Sequence, residues 1–342
     1  MIEWLFLILI WTYIGHYYLF DLLARNKKLF YNKRERSKIK FSIIIPVNKK
    51  SEILKDKIKN TLQVSYPKKL VEIIVVDNHS GDNSDIKNIF PMIKYIKRAK
   101  KGLNSGLNQA LSIANGGIII KTDHDTFVSK DALKIFEQIL KSNPDIGAIA
   151  ATEKVSGNEL MKSYRDFLNK IHINESLVHS TWISGSFYAF RKNVIESFPE
   201  TRLVPDDGYI SLQCVNKSLR AVSTDLVKVK EIVSKKNTQN FFKFRRYVSQ
   251  GIYTYFSNLP IIFKNKFFFL VSLRNLFHFI VTPLIIYYFL FFHPNLFLIL
   301  VLFGFFISLF STKIRNLAIL FLIFLIIWPI AVLFAIFKIE KW

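Results

Sequence analysis

Three acidic clusters stand out in a chain poor in carboxylates. Asp77 opens Asp77-Asn78-His79-Ser80-Gly81-Asp82, Asp123 and Asp125 flank His124, and Asp206-Asp207 follow Pro205. The chain has 342 residues, with 48 Lys and Arg against 25 Asp and Glu, a formal net charge of +23. An ionised carboxylate only accepts hydrogen bonds. It pairs with N–H and O–H donors, holds hard cations, or takes a proton from a reacting group. A loop aspartate ordinarily caps a helix or sits in a solvated turn, and any one cluster fits that use. Three clusters at the ends of separate elements, against a basic background, point to a ligand site.

The elements that carry these clusters alternate. Phe41–Pro46 and Val71–Asp77 are short, β-branched, nearly continuous apolar runs, the pattern of parallel strands buried on both faces. Between them Ile53, Leu54, Ile58 and Leu62 have helical spacing, and Ser65-Tyr66-Pro67 stops the helix. Helix Gly106–Ala114, strand Ile118–Asp123, helix Lys130–Lys141 and strand Ile146–Ala151 follow. The order predicts an α/β domain over residues 41–235, with an open, mostly parallel sheet covered by helices on both faces. In such sheets ligands bind beyond the carboxyl ends of the strands, where Asp77 and Asp123 fall. Asp206-Asp207 open an amphipathic segment, Gly208–Leu219.

Apolar residues make up 51% of the chain, with 33 Phe, which excludes general disorder. They concentrate at the ends. Trp4–Leu23 is long enough to cross a bilayer. It lacks the basic n-region and cleavage site of a signal peptide, so residues 1–23 are expected to be an uncleaved anchor, with His16 and Asp21 solvated near the interface. Leu276–Phe292, Leu296–Phe310 and Leu317–Phe337 are expected to form three further spans over 276–342, with His293-Pro294-Asn295 as a turn. Residues 24–40 hold eight bases and one acid, so the positive-inside rule places this linker and the following domain in the cytoplasm. Residues 236–275 mix Phe241, Phe242, Phe244, Tyr247 and Tyr253 with Lys243, Arg245 and Arg246. With Ile261–Phe269, they are expected to be amphipathic helices in the membrane interface. A solvated basic face is the alternative. The single Cys214 excludes an intramolecular disulfide and a multi-cysteine metal site.

The stretches FSIIIPVNKK, VEIIVVDNHSGDNS, KKGLNSGLNQALSIANGGIIIKTDHDT, WISGSFYAFRK and PDDGYISLQCVNKSLRAV resemble, in order and spacing, an inverting family 2 glycosyltransferase with a GT-A nucleotide-sugar-binding fold. The resemblance implies roles. Pro46 would lie beside the nucleotide base, Asp77 would receive the base or ribose, and Lys101 and Asn108 would lie near its phosphates. Asp123 and Asp125 match the DxD motif, which holds Mg²⁺ or Mn²⁺ against the donor diphosphate. Gly185 and Ser186 match a small-residue turn near the acceptor, with Trp182 just upstream, either in an acceptor channel or in the core. Asp207 matches the general base and Asp206 a supporting acid. Arg245 and Arg246 are placed to meet a diphosphate or a lipid phosphate.

One departure bears on the product. Processive members carry Q-x-x-R-W, whereas this chain has Phe244, Tyr247 and Val248 at the Gln, Arg and Trp positions. The expectation is transfer of one sugar from a UDP- or GDP-sugar to a lipid or lipid-linked acceptor by a multi-pass membrane protein. A processive synthase and a non-catalytic membrane scaffold are the alternatives. Nucleic-acid binding, suggested by charge alone, has no recognisable module behind it.

Overall fold

The computed structural model describes residues 15–31, 39–47, 51–77, 83–97, 102–156, 159–232, 238–299, 301–302 and 326–337, with a few isolated positions before residue 15. After helix α1 (His16–Ala24), strands and helices alternate as β1 (Phe41–Val47), α2 (Ile53–Leu62), β2 (Val71–Asp77), α3 (Ile86–Ile89), β3 (Lys94–Lys97), α4 (Leu103–Ile113), β4 (Ile118–Thr122), β5 (Thr126–Val128), α5 (Ala132–Ser142) and β6 (Ile146–Ser156). The long helix α6 (Glu159–Val178), β7 (Phe187–Arg191), α7 (Asp206–Asn216) and β8 (Arg220–Ile232) complete the domain.

The eight strands form one sheet in the order β3-β2-β1-β4-β7-β6-β8-β5. The four strands β3, β2, β1 and β4 are parallel; the apolar runs predict β1, β2 and β4, and β3 adds an edge strand that they do not mark. The other half is mixed. β7 runs antiparallel to both β4 and β6, and β5 antiparallel to β8. Successive β1 side chains serve opposite faces, which is why its run is continuous. Phe41, Ile43 and Ile45 pack with Leu54 and Ile58 of α2 and Phe136 of α5. Ile44 packs with Leu107 of α4 and Ile210 of α7. Pro46 is tolerated because β4 pairs β1 only as far as Ile44, so no partner on that side needs its missing N–H.

Beyond the sheet lie α8 (Thr238–Ser257), α9 (Leu259–Ile262), α10 (Lys266–Leu276), a π turn (Phe277–Val281) and α11 (Thr282–Phe292). Ile261–Phe269 is not the single interfacial helix expected. Asn265 breaks it, its side chain capping α10 by accepting the N–H groups of Phe267 and Phe268 at 3.0 Å each. Helix Lys266–Phe292 runs through the π turn for 27 residues, about 40 Å at 1.5 Å per residue. It is the one helix among the described residues long and apolar enough to cross a membrane; four spans are expected from the sequence. The expected start at Leu276 falls in its middle. Residues 300 and 303–310 of the expected span Leu296–Phe310, and residues 6, 7, 9, 10 and 12–14 of Trp4–Leu23, lie outside the described residues, and of Leu317–Phe337 only the helix Ile326–Ile336 and Phe337 are described.

Pro283 has no N–H to give the carbonyl four residues back, that of Phe279. The Trp328 indole N–H donates to that carbonyl at 2.5 Å, so the C-terminal helix repairs the break. Ile327, Ala331 and Ala335 of that helix pack on Val248 and Ile252 of α8. His16 differs from its expected solvated position. It is fully buried, with Nε2 2.8 Å from Glu175 of α6, because the apolar face of α1 lies on α6 rather than in solvent.

The loop before β4 shows how tightly the sheet is closed. A Cβ on Gly116 would stand 2.5 Å from the Ser42 backbone nitrogen, whereas one on Gly117 would meet nothing within 4 Å. Gly116→Ala is therefore expected to destabilise the protein by about 1–3 kcal/mol through overpacking. Gly117→Ala should change it by less than about 0.5 kcal/mol. Thermal unfolding of the two variants side by side measures the difference.

Candidate active site

The antiparallel pairing of β4 with β7 builds the centre of the site. Thr122 faces Phe187 across the ladder, and the Asp123 N–H donates to the Ser186 carbonyl at 3.0 Å. Two residues 63 apart in sequence are thus fixed side by side. Asp123, His124 and Asp125 form the turn between β4 and β5 and are half-buried. Their oxygens stand at the carboxyl end of a central strand, as expected for a ligand site in such a sheet.

Two buried lysines flank this turn. Lys121, at the end of β4, places Nζ 2.6 Å from Asp123 Oδ1 and 3.6 Å from Asp206 Oδ2, and donates to the Gly185 carbonyl at 2.7 Å. Lys57 of α2 lies behind the turn, fully buried. Its Nζ donates to Thr122 Oγ1 at 2.9 Å and to the Thr126 carbonyl. Sequence analysis singled out neither. The signal for Lys121 was its position within the apolar run Ile118-Ile119-Ile120-Lys121, because a cation in a strand buried on both faces must find partners.

The acidic pair opens α7, where Pro205 is extended and carboxylates suit the positive end of the helix. Asp206 is buried and accepts from Tyr188 Oη at 2.7 Å. Asp207 points the other way. Its Oδ1 accepts from the Gly208 N–H at 2.7 Å, and Oδ2 lies where a Cβ on Gly185 would come within 2.5 Å. Only glycine fits at 185. Burial, and next the charge of Asp206, push Asp207 up to about 7, against the lowering effect of Lys121. The 184–186 turn is held from behind by Glu153. That buried carboxylate accepts from Ser184 Oγ and the Ser186 N–H and pairs with Arg165 at 2.6 Å.

Asp207 faces a cleft of about 150 Å³ bounded by α6, α7, α8 and the long helix, with Trp182, Pro205, Tyr247, Tyr255 and Phe279 among its walls. Trp182 is a cleft wall fixed in place. Its indole N–H donates to Ser272 Oγ of α10 at 3.2 Å, and its ring packs on Tyr255 and Phe268. Val248, at the tryptophan position of Q-x-x-R-W, is buried against the C-terminal helix, while Tyr247 faces the cleft. Arg245 lies over the Phe334 ring at 4.0 Å, which ties it to the C-terminal helix. Arg246 is exposed on α8.

Asp77 ends β2 two strands away from β4, directly across from Val47 and one residue beyond Pro46 and its partner Val76. It is fully buried. Oδ2 accepts from the Asn83 N–H and Nδ2, both at 3.0 Å, and from Tyr95 Oη at 2.6 Å. Oδ1 has no partner among the described residues, so one acceptor remains for a ligand. Lys101 lies outside the described residues. Asn108, expected near a phosphate, has both ends of its side-chain amide engaged. Its amide is closed on the Phe198 backbone, donating to the carbonyl at 2.9 Å and accepting the N–H at 2.7 Å.

Burial pulls the Lys57 amine down to about 7, against the attraction of Asp123 and Asp125. The unfolded lysine titrates near its usual ~10.4. Between these values the unfolded state carries the extra proton, so this group makes the fold more stable as pH rises from about 7 to about 10. Below about 7 both states are protonated and the contribution is gone. Lys57→Met should flatten the rise of melting temperature with pH across that window. Superimposable pH profiles for the two proteins would refute the depressed amine.

Asp123 and Asp125 offer hard oxygen donors of the kind Mg²⁺ and Mn²⁺ take. No group of three or more His, Cys, Asp or Glu among the described residues would hold an ion alone. The donor set therefore fits an ion whose remaining ligands come from a bound diphosphate and water.

Comparison with known proteins agrees with this geometry. Residues 42–198 match the family model described as glycosyl transferase family 2. The chain is 23% identical over 222 residues to a poly-beta-1,6-N-acetyl-D-glucosamine synthase of Staphylococcus epidermidis, covering 60% of this chain and 53% of that protein. It is 25% identical over 210 residues to a probable glycosyltransferase of Bacillus subtilis, YdaM, covering 54% and 48%. The chain thus spans about half the length of these curated relatives. A mannosyltransferase from Pyrobaculum calidifontis, solved with GDP-Man and Mn²⁺, superposes with a TM-score of 0.76 over 99% of this chain and 100% of that one, at 19% identity. That likeness is one of fold. With the strand order and the carboxylate turn, these matches make residues 42–198 similar to family 2 glycosyl transferases, on a fold shared with the mannosyltransferase.

Proposed function

We propose that this chain is an inverting glycosyltransferase that moves one sugar from a nucleotide-diphosphate sugar to a hydroxyl of a membrane-associated acceptor at the cytoplasmic leaflet. One observation carries the reading. The Asp207 carboxylate faces an apolar cleft whose far wall is the helix of membrane-crossing length, while Lys121 links the adjoining Asp206 to the Asp123 turn. Donor and acceptor would thus meet at Asp207 from opposite sides. The fold relative was solved with GDP-Man and Mn²⁺, and the Staphylococcus epidermidis relative is a poly-beta-1,6-N-acetyl-D-glucosamine synthase. Both are consistent with a nucleotide-sugar donor. The basic linker at 24–40 favours the cytoplasmic face of an anionic membrane.

The chemistry follows from the side chains. Asp77 Oδ1 accepts from a base N–H or a ribose O–H. Asp123 and Asp125 would hold a divalent ion, which when bound would supply positive charge to the departing diphosphate. Asp207 takes the acceptor's hydroxyl proton as that oxygen bonds to the anomeric carbon. The bond from that carbon to the diphosphate oxygen breaks, and its electron pair leaves with the nucleotide. A base held near 7 is well matched to proton transfer at neutral pH. Trp182, with Gly185 and Ser186, shapes the acceptor side. Arg246 is left to meet lipid phosphate at the membrane surface. A processive synthase is the weaker reading, since Val248 is packed away where a stacking tryptophan would stand.

Membranes containing the protein, given labelled UDP- and GDP-sugars with Mg²⁺ or Mn²⁺, should transfer label into the lipid-extractable fraction. Label appearing only in a long water-soluble polymer would favour the processive reading. Asp207→Asn should cut transfer by about 10²–10⁴-fold with nucleotide binding retained. In the native protein the rate should rise with pH through about 7 as Asp207 loses its proton, given the facing groups Asp206, Lys121, Glu153 and Tyr247. A flat profile over that range, or full activity in the asparagine variant, would remove Asp207 from the base role.

A further inference from the structure

Lys121 is the one lysine of a strand otherwise made of Ile118, Ile119, Ile120 and Thr122, and its side chain is only 5% exposed. An ammonium in that position costs several kcal/mol unless it is paired and hydrogen-bonded. The ammonium makes two hydrogen bonds and one longer ion pair, and each partner belongs to a different part of the site. One is Asp123 Oδ1 of the carboxylate turn at 2.6 Å. Another is the Gly185 carbonyl at 2.7 Å. The last is Asp206 Oδ2 at 3.6 Å.

These contacts bear on Asp207 from both sides. Asp206 precedes Asp207 at the start of α7, and Lys121 and Tyr188 Oη together hold it inward. Gly185 is the residue against which Asp207 Oδ2 rests, and Lys121 holds its carbonyl. Lys121 also contributes positive charge beside Asp207. An apolar residue in this strand would satisfy the core but leave Asp123 Oδ1 and the Gly185 carbonyl without the donor they have here, and Asp206 Oδ2 with Tyr188 alone.

We propose that Lys121 is a positioning residue that locks the donor-side Asp123 turn to the Asp207 base, so that one ammonium sets the geometry in which acceptor oxygen, base and anomeric carbon align. The inference rests on the reading of Asp207 as the base. Misplacing a reacting group by about 1 Å costs on the order of 10²-fold in rate, so the effect belongs in kcat. Binding of the nucleotide, anchored at Asp77 two strands away, should be largely spared.

The test uses the full-length protein with Lys121→Met, which keeps volume and removes the charge. The expected result is a fall in kcat of roughly 30- to 100-fold, with the dissociation constant for nucleoside diphosphate and Mn²⁺, measured by calorimetry, within about threefold of native. The acid limb of the rate profile should also move to higher pH, because a cation beside Asp207 has gone. A merely structural lysine would leave that limb in place. A kcat within about threefold of native, an unmoved limb, or nucleotide binding weakened as much as kcat would each overturn the proposal. If Lys121→Met fails to fold, Tyr188→Phe removes the second hold on Asp206 without burying a new shape. It should lower kcat by about 5- to 10-fold at unchanged nucleotide affinity, and native kcat in that variant would count against the lock. Asp207→Asn run alongside separates the two ideas. If it is fully active, the base reading falls and this inference with it. If it is inactive while Lys121→Met is normal, only the inference falls.

Discussion

Charge buried at the end of a β-strand must be paired, and this constraint organises the site. Lys121 and the carboxylates of Asp123 and Asp206 meet where β4, the 184–186 turn and α7 converge. Removing any one leaves the others uncompensated in a place with little water, which costs several kcal/mol. The fold therefore has little freedom in how these three segments approach. That rigidity is what a transfer reaction needs, since its reacting atoms must be aligned before the chemistry begins. Glu153 and Arg165 apply the same logic one layer further out, fixing the turn from behind.

A second buried ionic cluster joins the domain to the helices around it. Glu175 of α6 is fully buried and meets His16 of α1 at 2.8 Å, Thr181 Oγ1 at 2.5 Å and Arg274 of α10 at 3.5 Å. One carboxylate thus ties the N-terminal helix, the long domain helix and the helix of membrane-crossing length. The cleft in front of Asp207 lies among the same elements. Its shape depends on those helices holding their places, as with the indole of Trp328 that satisfies the carbonyl left open by Pro283.

Much of the architecture is legible in local sequence. Continuous β-branched runs mark β1, β2 and β4 because strands covered on both faces have no polar side to show, whereas the edge strand β3, Lys94–Lys97, carries no such run. Asp77, Asp123 and the pair Asp206-Asp207 are legible because carboxylates are scarce in a chain of +23. The antiparallel β7 is less so, since one apolar run looks like another whatever its direction. Local pattern misleads at His16, which is polar beside an apolar run yet has its partner about 160 residues away. Nor does local pattern show that the Asn108 amide serves a backbone segment 90 residues on.

Sequence alone determined the types and order of the elements and the identity of the acidic groups, because burial periodicity and side-chain chemistry are local properties. The tertiary structure decided which of those groups share a site. It set Ser186 beside Asp123 through an antiparallel ladder, pressed Asp207 against a glycine that has no Cβ to repel it, and gave Lys121 and Lys57 their meaning as buried cations. Those relations depend on long-range pairing and on charge compensation across segments far apart in the chain, and no window of residues contains them.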